Sequence, residues 1–474
     1  MTGQEPEQEQ ERSLATTAIE NGQSDLTRTQ TQHSPSPSSQ PTLLKNWNQQ
    51  DQPPTPVSRW RLRLEAALWR VLMEVGMVLH RVAPPVPPYP TTRLRIPSTI
   101  SSQKGHIGLY IYSPPTPPSD QRFPCIVNFH GGGFTIGKAT DDARWAAAVV
   151  EQVPAIVVSV DYRLAPAHPF PTAVQDGVDA LLYIHAHADE LGIDVGRIAL
   201  SGFSAGGNLV FTVPLLLNAL QRAQAAADLG RAQTPASQNE GKTLQHRPVR
   251  EDQAPIAVPD HLDPAHAAAT LPPIPPTLRP HALIASYPSL DFSQPRAERR
   301  ATNTRQDLEM PSFLHTLFDA SYLFPLPLLD VFSPFLSPAR ASDEQLVQAL
   351  PRDVAIYAAE WDGLSKEAMA FAGRLGGVGK RVQARVLEGT THGWDRGVNP
   401  LRLHRLLEGG YRDGSAFLRE VFGMGLPEHL RTAEPREGQE EGEGEGAEAV
   451  SSRRTVEDVP VTDQESAGTT AERN

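Results

Sequence analysis

The chain has 474 residues, 39% of them hydrophobic, and a net charge of −12 from 43 Lys and Arg against 55 Asp and Glu. With no basic stripe interleaved with aromatic residues, that balance argues against a nucleic-acid partner. A single cysteine, Cys125, excludes an intrachain disulfide and any paired-cysteine metal framework. Residues 1–56 are rich in Gln, Glu, Ser, Thr and Pro. They are expected to form a disordered tail, because too few apolar side chains are present to offset the entropy of ordering. This start is polar, with no apolar signal core, and no apolar run reaches membrane-spanning length. A cytoplasmic location is the expectation.

A single folded domain is expected over 57–431, opening with a cap helix and Pro-rich linker at 57–92. Trp60 to Val82 interleaves Arg61, Arg63, Glu65, Arg70, Glu74 and Arg81 with apolar residues at helical spacing, and Pro84-Pro85 breaks it off. It reads as a lid over a pocket or as a helix making weak contact with a membrane surface. Charges of both signs favour the lid. Strands are expected at 93–100, 106–113, 125–130 and 155–161. His130-Gly131-Gly132-Gly133 follows the third of these and offers backbone amides that no side chain shields. His130 itself reads as a brace for that loop.

Arg197 to Ser201 reads as a buried strand, in an element expected over 197–203, that enters Gly202-Phe203-Ser204-Ala205-Gly206. Asn208 to Leu220 reads as a buried helix leaving it. A serine at such a strand-to-helix turn is a nucleophile, and together with the glycine amides it makes the core of an acyl-transfer site. Residues 221–280 read as a low-complexity surface insertion, with the run Leu271-Pro272-Pro273-Ile274-Pro275-Pro276 as a solvated linker or polyproline docking segment. Further strands are expected at 281–287, 353–359 and 381–388.

At the ends of the last two strands lie Glu360-Trp361-Asp362 and Thr391-His392-Gly393. Functional residues gather at the carboxyl ends of strands in an open parallel sheet, which brings Ser204, Asp362 and His392 together. His392 would carry the serine proton and Asp362 would hold the imidazole. Glu360 competes with Asp362 for that place, and strand alternation favours Asp362. His185 and His187 lie two apart on a helix and do not share a face; His168 reads as a loop residue. No metal site and no cofactor are expected. From Thr432 onward, twelve acidic residues against four arginines account for eight of the net negative charges. Residues 432–474 are therefore expected to form a disordered acidic tail.

Four blocks resemble the hormone-sensitive-lipase-like esterases of the α/β-hydrolase fold: His130 to Gly133; Asp161-Tyr162-Arg163-Leu164-Ala165-Pro166 with Pro169-Phe170-Pro171; Gly202 to Asn208; and the Asp362 and His392 pair. The resemblance implies an eight-stranded, mostly parallel sheet with helices on both faces and an N-terminal helical cap. It further implies a serine hydrolase acting on small-molecule carboxylic esters of small or medium acyl chain. The resemblance assigns the oxyanion hole to the amides of Gly131, Gly132 and Ala205. Three positions depart from the family pattern: Gly363 stands where Pro is usual, Lys366 where an acidic residue is common, and Ala167 where Glu is usual. The alternatives are a membrane-associated lipase or deacetylase on lipid esters, and a non-catalytic small-molecule receptor. A filled Ser204, Asp362 and His392 set argues against the receptor.

Overall fold

The computed structural model describes residues 58–115, 122–233, 271–326, 329–397 and 405–431. The expected tails, 1–56 and 432–474, and the centre of the 221–280 insertion lie outside the described residues. Eight strands form one sheet: β1 (Thr92–Pro97), β2 (His106–Tyr112), β3 (Phe123–Phe129), β4 (Ile156–Asp161), β5 (Ile193–Phe203), β6 (Ala282–Ser286), β7 (Asp353–Trp361) and β8 (Arg381–Thr391). Their order is β1-β2-β4-β3-β5-β6-β7-β8. β1 and β2 run antiparallel at one edge, and every pairing from β4 to β8 is parallel.

The helices are α1 (Arg59–Val82), α2 (Ala143–Gln152), α3 (Thr172–Ala186), α4 (Ala188–Leu191), α5 (Ala205–Gln233), α6 (Arg296–Ala301), α7 (Ser312–Tyr322), α8 (Asp343–Ala349), α9 (Ser365–Gly377), α10 (Arg405–Val421) and α11 (Glu428–Arg431). One face of the sheet carries Ile126, Ala199, Ile284 and Ala355, which pack with Trp145 and Val149 of α2 and with Phe417 and Leu418 of α10. On the other face α3 and α5 meet Phe129, close enough that a Cβ on Gly177 would stand 2.4 Å from Val213. Strands covered on both faces read as continuous apolar runs, which is why β3 and β6 are buried at every position.

Strand bounds moved where proline and pairing compete. β3 starts at Phe123, ahead of the expected 125, and its pairing with β5 is irregular across Pro124, which has no N–H to donate. β5 likewise starts at Ile193, the partner of Phe123. The insertion is shorter than expected, because α5 continues through the helix-favouring Gln221–Gln233 stretch and its alanines. The Pro-rich run also packs against the chain itself: Ile274 and Leu278 are buried, and the Gln221 amide donates to the carbonyls of Pro275 (2.8 Å) and Leu278 (3.1 Å).

Beyond β4, Arg163 and Asp176 form a fully enclosed ion pair. The Arg163 amide (2.9 Å) and guanidinium (2.6 Å from Nη2) both donate to the carboxylate. Removing one partner of such a pair leaves a buried charge uncompensated. Asp176→Ala is therefore expected to cost about 3–5 kcal/mol in urea unfolding. Asp194→Ala, at the half-exposed Arg197–Asp194 pair, is expected to cost less than about 1 kcal/mol.

Candidate active site

β5 delivers Ser204 into a turn of positive φ (+53°), a conformation that costs an L-residue roughly 1–3 kcal/mol. The surroundings over-determine it. The Ser204 amide donates to Ser286 O (2.9 Å), and the Asn208 amide donates to Ser204 O (3.1 Å). The Asn208 side chain donates to Ser289 O (2.9 Å) and Leu336 O (2.8 Å). The turn is also tight enough to forbid side chains: a Cβ on Gly206 would lie 1.9 Å from Phe129 O, and one on Gly202 2.4 Å from Gly206 O.

Strand register brings the other partners in. Phe129 pairs with Gly202, so the loop starting at His130 passes beside Ser204. Trp361 pairs with Thr391 at the ends of β7 and β8, so the next residues, Asp362 and His392, emerge side by side. Ser204 Oγ lies 2.9 Å from His392 Nε2, and His392 Nδ1 lies 2.7 Å from Asp362 Oδ2. Asp362 is buried and also accepts the Leu364 amide (3.0 Å). Glu360 points the other way: exposed, it accepts the Gly389 amide at 2.7 Å.

Burial pulls the His392 pKa down, but the charge and hydrogen bond of Asp362, aided by Asp395 and Glu309, outweigh it and hold the ring above the ordinary 6.5. Gly131, Gly132 and Ala205 line the same cavity as Ser204 and His392. Among the described residues, no turn or loop hydrogen bond uses their amides. Gly132 can have no side chain, with φ at +123° and Ile136 O 2.2 Å from where its Cβ would stand. His130 is a brace: wholly buried, its Nδ1 is 2.8 Å from Gly131 O, and its ring stacks on Tyr162 at 4.3 Å. Tyr162 in turn donates to His130 O at 2.7 Å.

Sequence reasoning missed the floor beneath His392. The Tyr287 ring packs edge-on against His392 at 4.8 Å while its hydroxyl donates to Asp395. Arg396 donates to Asp142 and lies 3.3 Å from Asp395. Asp142 accepts from Asn128 at 2.8 Å. The turn after His392 is thus tied to β3 and to the start of α2. The sequence signal is the charged Asp395-Arg396 step just past His392-Gly393-Trp394, and nothing in it announces burial.

The departures are locally absorbed. A Cβ at Gly363 would meet Glu309 Oε1 at 3.0 Å and Arg299 O at 3.1 Å, so this neighbourhood has closed over the usual proline position. Lys366 is exposed, while the buried Glu367 accepts the Leu290 amide at 2.8 Å and faces Arg299 at 3.7 Å.

The cavity above Ser204 is about 280 Å³. Phe134, Phe292, Leu314, Phe318 and Tyr322 give it apolar walls, and Met73 of α1 reaches it from the cap. α1 lies on α7 through Leu62 against Leu317 and Phe318, and Trp69 stacks on Phe313 at 5.0 Å. Arg70 ties α1 to the loops after β3 and β4, donating to Thr135 O (2.9 Å) and Ala165 O (2.8 Å). No group of side chains among the described residues is arranged to hold a metal ion. No helix among them is long and apolar enough to cross a membrane.

Residues 126–396 match the family model of the alpha/beta hydrolase fold. Esterase LipI of Mycobacterium tuberculosis is 39% identical over 171 residues, 35% of this chain and 50% of that protein. Carboxylesterase NlhH of the same organism is 41% identical over 125 residues, 26% and 39% of the two chains. Lipase 2 of a Moraxella species is 28% identical over 320 residues, 65% and 60%. The chain thus spans half or less of the first two relatives' length. A solved Pyrobaculum calidifontis esterase shares the fold at 24% identity, with a TM-score of 0.54 over 78% of this chain and 99% of that one. Matched over more than half its length by the family model, with sheet order and the Ser204, His392 and Asp362 geometry in agreement, the chain belongs to the hormone-sensitive-lipase-like esterase family of the α/β-hydrolase fold.

Proposed function

We propose that the chain hydrolyses carboxylic esters of small or medium acyl chain through an acyl-enzyme on Ser204. The observation that carries this reading is the continuous hydrogen-bonded line from Ser204 Oγ through His392 to the buried Asp362. His392 Nε2 takes the hydroxyl proton as Ser204 Oγ adds to the ester carbonyl. The oxyanion that forms is held by the amides of Gly131, Gly132 and Ala205. His392 then returns the proton to the departing alkoxide, which leaves as the alcohol. Water, activated by the same imidazole, releases the carboxylic acid and restores Ser204. Asp362 keeps the Nδ1 proton in place and stabilises the imidazolium. The cavity's apolar walls suit an acyl chain, and its volume, just under the ~300–1,000 Å³ of drug-sized pockets, supports short to medium ones.

A fluorophosphonate probe should label Ser204, and Ser204→Ala should lose both labelling and p-nitrophenyl ester hydrolysis by roughly a thousandfold or more while its thermal unfolding is unchanged. Across a p-nitrophenyl series, kcat/KM should peak at short or medium chains. Full turnover in folded Ser204→Ala would end the proposal.

Asp362→Asn should lower kcat by roughly ten-thousandfold, by analogy with other triads, whereas Glu360→Gln should leave it near wild type. The reverse ranking would move the acid to Glu360. The base must be neutral to accept a proton, so activity is lost as pH falls through the His392 pKa. Because Asp362 raises that pKa, the acid limb of the kcat/KM profile should have its midpoint above 6.5. In Asp362→Asn the lowering effect of burial remains without the raising charge. The residual activity should then have its midpoint at lower pH.

A further inference from the structure

α1 has two apolar faces, and the catalytic domain uses one of them. Inward lie Leu62, Ala66, Met73 and Met77. Outward, Leu64, Leu68, Val71, Val75, Val78 and Val82 recur every three or four residues along the whole helix, and all are exposed; Leu64 and Val75 each keep 65% of their surface in solvent. Leu72 and Leu79 widen the stripe. Single exposed apolar side chains need no explanation, but a continuous stripe about five turns long does.

The distribution of charge along the helix says what fits there. Arg59 and Arg70 donate to the carbonyls of Pro166, Thr135 and Ala165, and Glu74 bridges Lys138 (2.7 Å) and Arg81 (2.9 Å), so these charges sit on the protein flank. Glu65, half-buried, borders the outer stripe near its N-terminal end, and from Leu68 to Val82 the stripe itself carries no charge. Arg61 and Arg63 are exposed beside its N-terminal end. Trp60 (70% exposed) stands at that end, and Tyr89 (86% exposed) lies just past the other. Amphipathic aromatic rings at the margins, cations at one end and an uncharged aliphatic middle are the pattern of a helix lying in a bilayer interface.

A second protein copy fits less well. A helix of 24 residues is about 36 Å long and about 10 Å across. One face thus offers a footprint of roughly 360 Å², well below the ~800 Å² per partner of a standard interface.

We propose that the outer face of α1 docks the protein on anionic phospholipid surfaces. Since Met73 on the opposite face lines the cavity over Ser204, docking would set the cavity at the lipid boundary, where esters dissolved in the membrane are concentrated. The anchorage that holds α1 down makes the face a rigid one: Arg144 donates to the carbonyls of His80, Ala83 and Pro85 at 2.6 Å each.

The test is co-sedimentation of the full chain with phosphatidylcholine vesicles, with and without phosphatidylserine. The wild type should sediment with the mixed vesicles. Leu68→Glu/Val71→Glu/Val75→Glu should reduce binding by roughly tenfold or more, since three apolar side chains are lost from the interface. Its hydrolysis of p-nitrophenyl acetate without vesicles should be unchanged. Arg61→Gln/Arg63→Gln, which leaves the apolar stripe intact, should reduce only the phosphatidylserine-dependent part, by roughly fivefold per arginine. Absence of wild-type binding overturns the proposal, as does a triple variant that still sediments fully. So does a wild-type dimer that the triple variant dissociates in sedimentation velocity without any vesicle binding, which would assign the face to a second copy. Because the readout is binding, each of these results leaves the role of Ser204 untouched.

Discussion

The close approach of two backbones at the carboxyl ends of β3 and β5 is the constraint on which the rest of the site depends. α5 can start directly after Ser204 only because Gly206 lets its first turn pass against Phe129 O, and Gly202 lets the entering strand pass against Gly206 O. Any side chain there would push the helix off the sheet. Ser204 would then lose its left-handed turn, and the loop from His130 to Gly133 would lose its place beside it. The strain held at Ser204 is affordable because Asn208, Ser286 and Leu336 grip the turn from three directions.

From that fixed point the site is built by register more than by side-chain adhesion. Parallel strands deliver Ser204, Asp362 and His392 to one end of the sheet, and the buried network of Tyr287, Asp395, Arg396 and Asp142 ties down the turn that carries His392. That network sets charge beneath an imidazole whose own proton affinity is already raised by Asp362. A charged floor and a glycine-lined wall leave the remaining side of the cavity apolar, where Phe134, Phe318 and Tyr322 stand.

Much of this was legible in the residues. Apolar runs marked the strands of the doubly covered sheet. Alternation alone does not separate Glu360 from Asp362, which lie two apart; the pairing of β7 with β8 is irregular between Ala359 and Trp361, and there Glu360 is exposed while Asp362 is buried beyond the strand end. What escaped was whatever depends on partners distant in sequence. The helical continuation past Leu220 was masked by polar composition, although the alanines of 225–227 favour helix and Gln221 finds carbonyls some fifty residues on. Pro124 hid the start of β3, because a missing N–H says where pairing is irregular and not where it ceases. Composition also blurred α1: counted together its charges look mixed, yet folding turns Arg59, Arg70, Glu74 and Arg81 to the protein flank and leaves the outer face aliphatic from Leu68 to Val82. A helix that must satisfy two surroundings cannot be assigned to one of them from its average.

The pairing of Trp361 with Thr391 at the ends of β7 and β8 has a consequence for how this chain can vary. Asp362 and His392 meet because two adjacent strands end level, whatever lies between them in the chain. Length changes in the connection through α9 are therefore silent at the site so long as both strands keep their pairing. Removing one residue inside β8 is another matter. It would draw His392 back by about 3.3 Å and turn alternate side chains to the opposite face. Tolerance to insertion and deletion along this stretch is thus sharply uneven: permissive in the crossover, forbidding in the strands on either side of it.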